Sequence, residues 1–459
     1  MAPGAPWRPP APVPLPPVRS LVRAALSGER DLLSLVPEQA YTELVFPLAG
    51  SKRGIVYVND PALVHRVMQE HDRFPKNDLF VDAVEPLVGD SIFVSTGATW
   101  RRQRRMIDPA FGHMRVNLAW PQMAAAVDDH EAWLDAHAAR GDAFSLDAAM
   151  ASVTADVICR TIFSQTFAAG TAHRVFATFH EFERNVATVN LRRLLFATPW
   201  SPARQPRRVL DACRAIRAEI DALIAPRLAP GAPVLDDIVG ATIAARDPET
   251  GAPFTREELV DQLSVFFLAG HETTASALTW SLFIVSRLPW LAERIRAEVA
   301  QVAGDGPLRL EHAKRLVFVR NVLRETMRLY PPITFLPRVA AEATELAGLR
   351  LRRGTMVMIA PWTIHRHARI WQHADRFDPD RWAPEREGQV PAGAYLPFGL
   401  GPRVCVGAAF ATLEATMILG RLVRRYDVET LDAERVRPVA RLTTRPATAI
   451  RCRVRRRTA

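Results

Sequence analysis

Cysteine is scarce in this chain of 459 residues: Cys159, Cys213, Cys405 and Cys452 stand far apart, with no C-x-x-C pair. Such spacing excludes a disulfide framework and a structural zinc site, and predicts a reducing, cytoplasmic setting. Long apolar runs are missing too. The longest uncharged stretch, Gly388 to Pro402, is 15 residues and rich in glycine and proline, whereas a membrane-spanning helix needs roughly 20 apolar residues. Met1 to Pro17 contains eight prolines and no apolar run of the kind a signal peptide carries. Residues 1–19 therefore read as an extended, poorly ordered arm in front of a single domain over residues 20–459. Internal repeats and alternating βαβ units are absent as well.

What remains is ordinary globular material, 48% apolar and 24% charged. Lys plus Arg number 59 against 49 Asp plus Glu, a formal charge of +10. That balance favours an acidic partner, but no nucleic-acid-binding module accompanies it. Arginine greatly outnumbers lysine, so a genome-wide bias is the simpler account of the C-terminal run from Arg451 to Arg457.

Periodicity predicts a mainly helical fold with a minor β region. Gly54 to Val58 and Thr355 to Ile359 predict short strands, and Pro199 to Pro206 and Pro226 to Pro233 predict loops. The clearest helix begins after Thr255, which forms a T-x-x-E capping box with Glu258. It continues through Leu259, Leu263, Phe267, Leu278 and Ile284 and must end before Pro289. About 30 residues at 1.5 Å each make roughly 50 Å. Apolar on most sides in its middle, this helix should cross the interior. Others are predicted over about Val319 to Tyr330, stopped by Pro331-Pro332, and from just after Cys405 to about Tyr426.

Two tempting signatures fail. His271-Glu272-Thr273-Thr274-Ala275 lacks the second histidine of a zincin helix, which would stand at Ala275. Gly399-Leu-Gly401-Pro-Arg-Val404 lacks the third glycine of a dinucleotide loop, at Val404, and follows no strand. The segment Phe398-Gly-Leu-Gly-Pro-Arg-Val-Cys405-Val-Gly407 is different. Glycines crowd the cysteine and a helix start follows it, so backbone N–H groups and positive helix potential face the sulfur.

This segment resembles the haem-binding loop of the cytochrome P450 family, F-x-x-G-x-R-x-C-x-G. Glu325-Thr-Met-Arg328 resembles that family's E-x-x-R helix, and Ala269-Gly-His-Glu-Thr-Thr274 its oxygen-activating motif. Trp100-Arg-Arg-Gln-Arg104 is similar to its W-x-x-x-R helix, and Phe377-Asp-Pro-Asp-Arg381-Trp382 to its arginine-bearing turn. Five motifs in the family's order cover nearly the whole chain. The resemblance implies a triangular helical domain, with haem b between the long oxygen-binding helix and the helix behind the cysteine. It also implies a soluble bacterial type of protein, monomeric and without a membrane anchor.

The resemblance assigns roles residue by residue. Cys405 would be the axial iron ligand, its thiolate favouring O–O cleavage. Trp100, Arg104, Arg338 and Arg403 would meet the haem propionates, which need buried cations or donors, and Phe398 and Gly407 would frame the loop. Glu325, Arg328 and Arg381 would form a buried structural triad. Glu272 and Thr273 would be catalytic, an acid and an alcohol passing protons during oxygen activation, with Gly270 letting the helix open locally. On its own, the same pair reads as a helix kink with a back-bonded threonine. Val265, Leu268, Ala269, Ile333, Thr334 and Leu442, with the Phe74 to Phe93 loop, would wall an apolar substrate pocket.

The implied function is insertion of one oxygen atom from O2 into an apolar small molecule, by hydroxylation or epoxidation. No flavin or iron–sulfur motif is present, so electrons would come from a ferredoxin or flavodoxin-type donor with its reductase. Arg101, Arg102, Arg105 and Arg424 would offer an acidic ferredoxin a basic patch, unless the first three form an ordinary solvated face. A haem-thiolate isomerase or dehydratase, and a non-catalytic haem sensor or carrier, are the alternatives. The Glu272–Thr273 pair speaks against the first of these.

Overall fold

The computed structural model describes residues 7–17, 19–20, 22, 31–48, 51–166, 178, 182, 205–233 and 235–457. Its principal helices are α1 (Pro61–Gln69), α2 (Asp78–Val88), α3 (Gly97–Ile107), α4 (Trp120–Arg140), α5 (Leu146–Phe163), α6 (Arg207–Ile224), α7 (Arg256–Arg287), α8 (Pro289–Ala303), α9 (Val317–Leu329) and α10 (Ala408–Arg425). None is long and apolar enough to cross a membrane. The loop expected at Pro199 to Pro206 lies mostly outside the described residues.

The long helix α7 organises the rest. Its capping box is formed: the Thr255 hydroxyl accepts from the Glu258 N–H, and Thr255 N–H donates to Glu258 Oε2 at 2.8 Å. Its 32 residues make about 48 Å of rod, and nearly every side chain from Leu259 to Val285 is buried. Pro289 disfavours helical geometry at Leu288 and ends it there. Around this axis pack α5, α6, α9 and α10. The cysteine-loop helix α10 thus lies directly against the middle helix of the fold.

Short strands close one side. The main sheet has the order β1 (Val45–Leu48), β2 (Ile55–Val58), β7 (Met356–Met358), β4 (Arg338–Val339). β2 runs antiparallel to β1 and parallel to β7, with Ile55 opposite Met356. Strands β5 (Thr344–Leu346) and β6 (Leu349–Leu351) make a separate hairpin. A third group joins β3 (Phe144–Ser145), β11 (Arg451–Arg456) and β8 (Tyr426–Thr430). The last hairpin, β9 (Pro438–Ala440) and β10 (Thr444–Pro446), has residues 441–443 at its tip.

Within β11, in the Arg451 to Arg457 run, Cys452 and Val454 point inward while Arg451, Arg453 and Arg455 face solvent. This is the period-2 alternation of a half-buried strand, hidden in the sequence by repeated arginine. The Phe74 to Phe93 "loop" contains α2, capped by Asn77 through its side chain on Leu79 N–H at 3.0 Å. The described part of the proline-rich arm is packed against the domain. Trp7 packs 6.3 Å from the Phe283 ring, and the Tyr330 hydroxyl donates to Pro10 O at 2.7 Å. A chain already stiffened by proline loses little freedom on docking, so a few contacts suffice.

Candidate active site

A cavity of about 570 Å³ separates α7 from the loop that leads into α10. Cys405, Phe398, Gly407 and Arg403 line it from the loop, and Val265, Leu268, Ala269, Glu272 and Thr273 from α7. Trp100 and Arg104 reach it from α3, Ile333, Thr334 and Arg338 from the segment after α9, and Leu442 from the C-terminal hairpin. Residues far apart in sequence thus line one cavity.

The loop is built to present sulfur. Gly399 and Gly401 have φ of +75° and +70°, and a Cβ on Gly401 would sit 2.6 Å from the Met68 carbonyl oxygen. Only glycine fits that turn against α1. Cys405 N–H donates to Phe398 O at 2.9 Å, which fixes the loop. Cys405 is accessible, and it opens onto the cavity. Burial pushes its thiol pKa up, opposed by the Gly407 N–H and by Arg104 and Lys76. A bound metal cation would reverse that balance, because a coordinated thiol loses its proton.

Beside the cysteine lies a group of cations that make no salt bridge among the described residues. Arg338 and Arg403 leave Arg338 Nε and Arg403 Nε and Nη1 buried and without hydrogen-bond partners. Lys76, which sequence reasoning missed, is bridged to Arg338 across β-type backbone pairing and donates to Phe93 O. Burial, reinforced by Arg403, lowers the Arg338 pKa to about 10; burial, reinforced by Arg338 and Arg403, lowers that of Lys76 well below the usual range. Buried like charges are costly unless an anion joins them. A cavity with one thiol and three neighbouring cations fits a ligand that takes a thiolate and carries anionic groups.

On the opposite wall Glu272 is buried, with Oε1 accepting from Thr443 Oγ1 at 2.7 Å and ion-paired to Arg445. Burial raises its pKa, but Arg445, His271 and Thr443 outweigh burial and keep it a carboxylate. The Thr273 hydroxyl donates to Ala269 O at 2.6 Å, the back-bonded geometry of a helix threonine. That bond spends its proton but leaves lone pairs facing the cavity. Gly270 has a packing reason: a Cβ there would lie 2.5 Å from Ile158 Cδ1 of α5. The helix runs through it unbroken, with α5 packed closely against it.

The sequence model of the cytochrome P450 family matches residues 9–451. The chain belongs to the cytochrome P450 family. It is 32% identical to cyclooctatin synthase of Streptomyces melanosporofaciens over 90% of this chain and 89% of that one. With pentalenene oxygenase of Streptomyces avermitilis it shares 30% identity over 87% of each. The crystal structure of the cytochrome P450DA heme domain superposes with a TM-score of 0.80 at 25% identity, covering 98% and 99% of the two chains. The protein is a P450 monooxygenase with haem b as cofactor. When bound, haem b supplies oxygen activation at a thiolate-ligated iron. The residues present fit it: Cys405 for the iron, and Lys76, Arg338 and Arg403 for the two propionates.

Arg338→Met is expected to act with opposite signs on the two forms of this P450. The apoprotein should melt no lower than the parent, because an unpaired buried cation is removed. Haem should dissociate about tenfold faster or more, since a hydrogen bond to a charged group contributes about 1.5–3 kcal/mol. Haem transfer to apomyoglobin measures the second effect, and an unchanged rate would remove Arg338 from the propionate site.

Arg104 and Trp100 support these cations more than they join them. Arg104 donates to Val404 O at 2.7 Å and pairs with Asp108 at 2.6 Å, bracing the cysteine loop. Arg403 lies 4.4 Å above the Trp100 ring and donates to Ser95 O at 2.7 Å. Behind the loop, Glu325 and Arg328 of α9 are fully buried and pair in two parallel bonds of 2.8 and 2.9 Å. Arg381, expected as the third member, stands 3.6 Å from Glu325 without a hydrogen bond. Trp382 Nε1 and Asp378 N–H make those bonds instead, each at 3.0 Å.

The expected basic patch is largely neutralised within the molecule. Arg101 pairs with Asp72 at 3.0 Å, Arg102 with Glu258, and Arg105 with Glu249 at 3.0 Å. Arg424 donates to Gly306 O at 2.8 Å. Asp72, Glu258 and Glu249 offset the fields of Arg101, Arg102 and Arg105, while Arg424, bonded to a neutral carbonyl, keeps its charge.

Proposed function

We propose that this P450 oxidises a compact cyclic terpene, or a simple alcohol derived from one, by hydroxylation or epoxidation. Electrons come from a separate ferredoxin or flavodoxin-type donor with its reductase. The apolar wall carries this assignment: Val265, Leu268, Ile333, Leu442, Phe80 and Phe93 surround the space facing Cys405, a surface that recognises shape and offers little to a charged substrate. Two relatives, named cyclooctat-9-en-7-ol 5-monooxygenase and pentalenene oxygenase, act on compact ring systems according to those names. Among the described residues no group of metal-ligating side chains could hold a cluster. Four free cysteines support the reducing cytoplasm as the place of work.

In this chain Glu272 and Thr273 handle protons and the apolar wall excludes water and orients the substrate. Glu272, kept ionised and anchored, takes protons from the solvent side and passes them toward Thr273. The Thr273 hydroxyl donates to Ala269 O, which leaves the lone pairs of Oγ1 open to a further donor. Thr273→Ala should preserve helix, haem content and substrate binding, since alanine is a good helix former. Product per reduced nicotinamide should fall roughly 100-fold, the low end of positioned proton transfer, with peroxide rising in step. Full coupling in the variant would place oxygen activation elsewhere.

The substrate class is tested by titrating the ferric protein with cyclic terpenes and, separately, straight-chain fatty acids. A low-to-high-spin shift is expected with the terpenes, followed by a product carrying one atom from labelled O2. A shift with fatty acids alone would overturn the terpene assignment.

A further inference from the structure

The C-terminal hairpin β9–β10 touches both the cavity and Glu272. Leu442 at its tip lines the cavity. The next residue, Thr443, donates to Glu272 Oε1 at 2.7 Å, and Arg445 binds that same oxygen through Nε and Nη2. The first rung below the tip, where Thr444 faces Ala440, is fastened. Thr444 N–H donates to Pro332 O at 2.9 Å, and Thr444 O accepts from Ser276 Oγ at 2.6 Å and Trp280 Nε1 at 3.2 Å. Ser276 lies one helical turn beyond Glu272 on α7, so the anchor holds Arg445 within reach while the tip borders open space.

We propose that Thr443 and Arg445 are positioning residues for the Glu272 carboxylate, and that the hairpin couples filling of the cavity at Leu442 to the direction in which that carboxylate points. This rests on the assignment of Glu272 as the proton-supplying group. No bond is made or broken; the device sets an orientation. The groups facing the carboxylate are Thr443 and Arg445 from the hairpin and, from α7, His271, whose Nε2 lies 4.0 Å from Oε2. With Oε1 held by the hairpin and the Thr273 hydroxyl bonded to Ala269, the two polar groups point to different partners. A molecule that presses on Leu442 shifts Thr443, the adjacent residue, and so loosens Oε1. A ligand moves such an equilibrium only through its differential contacts with the two arrangements, and Leu442 is the contact that supplies the difference. Proton supply then waits for an occupied cavity.

Infrared difference spectroscopy of the haem-loaded protein tests this, with 4-phenylimidazole as the probe. This azole fills a haem pocket whatever the natural substrate, so the result does not depend on the terpene assignment. Adding it should shift a carboxylate band that is missing in Glu272→Gln. Leu442→Ala should lose that shift. Arg445→Met should convert the band to that of a protonated carboxyl, and Arg445→Lys should restore the carboxylate. If Arg445→Met fails to load haem, Thr443→Val decides: a displaced carboxylate band supports the coupling and an unmoved one overturns it. A probe that leaves the Glu272 band unmoved in the parent overturns the coupling, and an ionised, unshifted Glu272 in Arg445→Met overturns the positioning role. Parental product coupling in Glu272→Gln would instead remove the proton-supplying assignment, a result separate from the band positions.

Discussion

Cys405→Ser should abolish the red-shifted Soret band of the reduced carbon monoxide complex entirely, and turnover with it. Among the described residues Cys405 is the cysteine on the cavity wall. Cys159, Cys213 and Cys452 are buried elsewhere, with burial pushing their thiols up to about 12, 11 and 12. None of them can substitute. Serine keeps the backbone that donates to Phe398 O and leaves Lys76, Arg338 and Arg403 in place, so the variant should still fold and retain haem in part. What it loses is thiolate electron donation to the iron. Absorption spectra of the reduced complex decide the matter, together with haem content and melting temperature. A red-shifted band surviving in the variant, or a histidine-type spectrum in the parent, would remove Cys405 as the ligand.

Glu325→Ala and Arg328→Ala should be nearly as damaging, but through folding. Arg328 has five N–H donors, and all five are used. Two go to Glu325, and the others to the carbonyls of His365, Ala374 and Arg376 at 2.7 to 2.8 Å. Removing either partner strands a buried charge, at a cost of about 3–5 kcal/mol. Total stabilities of native proteins run only about 5–15 kcal/mol. Both variants should therefore yield little haem-loaded protein, with Arg328→Ala the worse because it also orphans three carbonyls. Arg381→Ala should cost far less, since its contact with Glu325 is long and unbonded. Expression yield, haem content and thermal melting test the series. Parental melting in Arg328→Ala would show that the pair is superficial.

By itself the sequence determined whatever depends on local spacing. The capping box at Thr255, the stop at Pro289 and the mainly apolar middle define α7 almost to the residue, because caps and proline act within one turn. The glycines around Cys405 marked a loop in which backbone must approach something closely, and Glu325 and Arg328 had to share a helix face at three residues' separation. Even the alternative reading of Thr273, a hydroxyl bonded to the carbonyl four residues back, is local and was legible.

Tertiary structure alone decided the rest, because the contacts join residues well separated along the chain. Lys76 looks like any surface lysine until β-type pairing sets it beside Arg338. Gly270 reads as a weak point in a helix until Ile158 comes within touching distance. Arg101, Arg102 and Arg105 read as a basic patch until Asp72, Glu258 and Glu249 fold onto them. Arg445, in a strand too short to predict, meets Glu272 only because Thr444 is stitched to Ser276 and Trp280. Charge is the property the sequence conveys least well. An ionised side chain's effect depends on its distance to every other charge and on the water removed around it, and neither is fixed until the chain has folded.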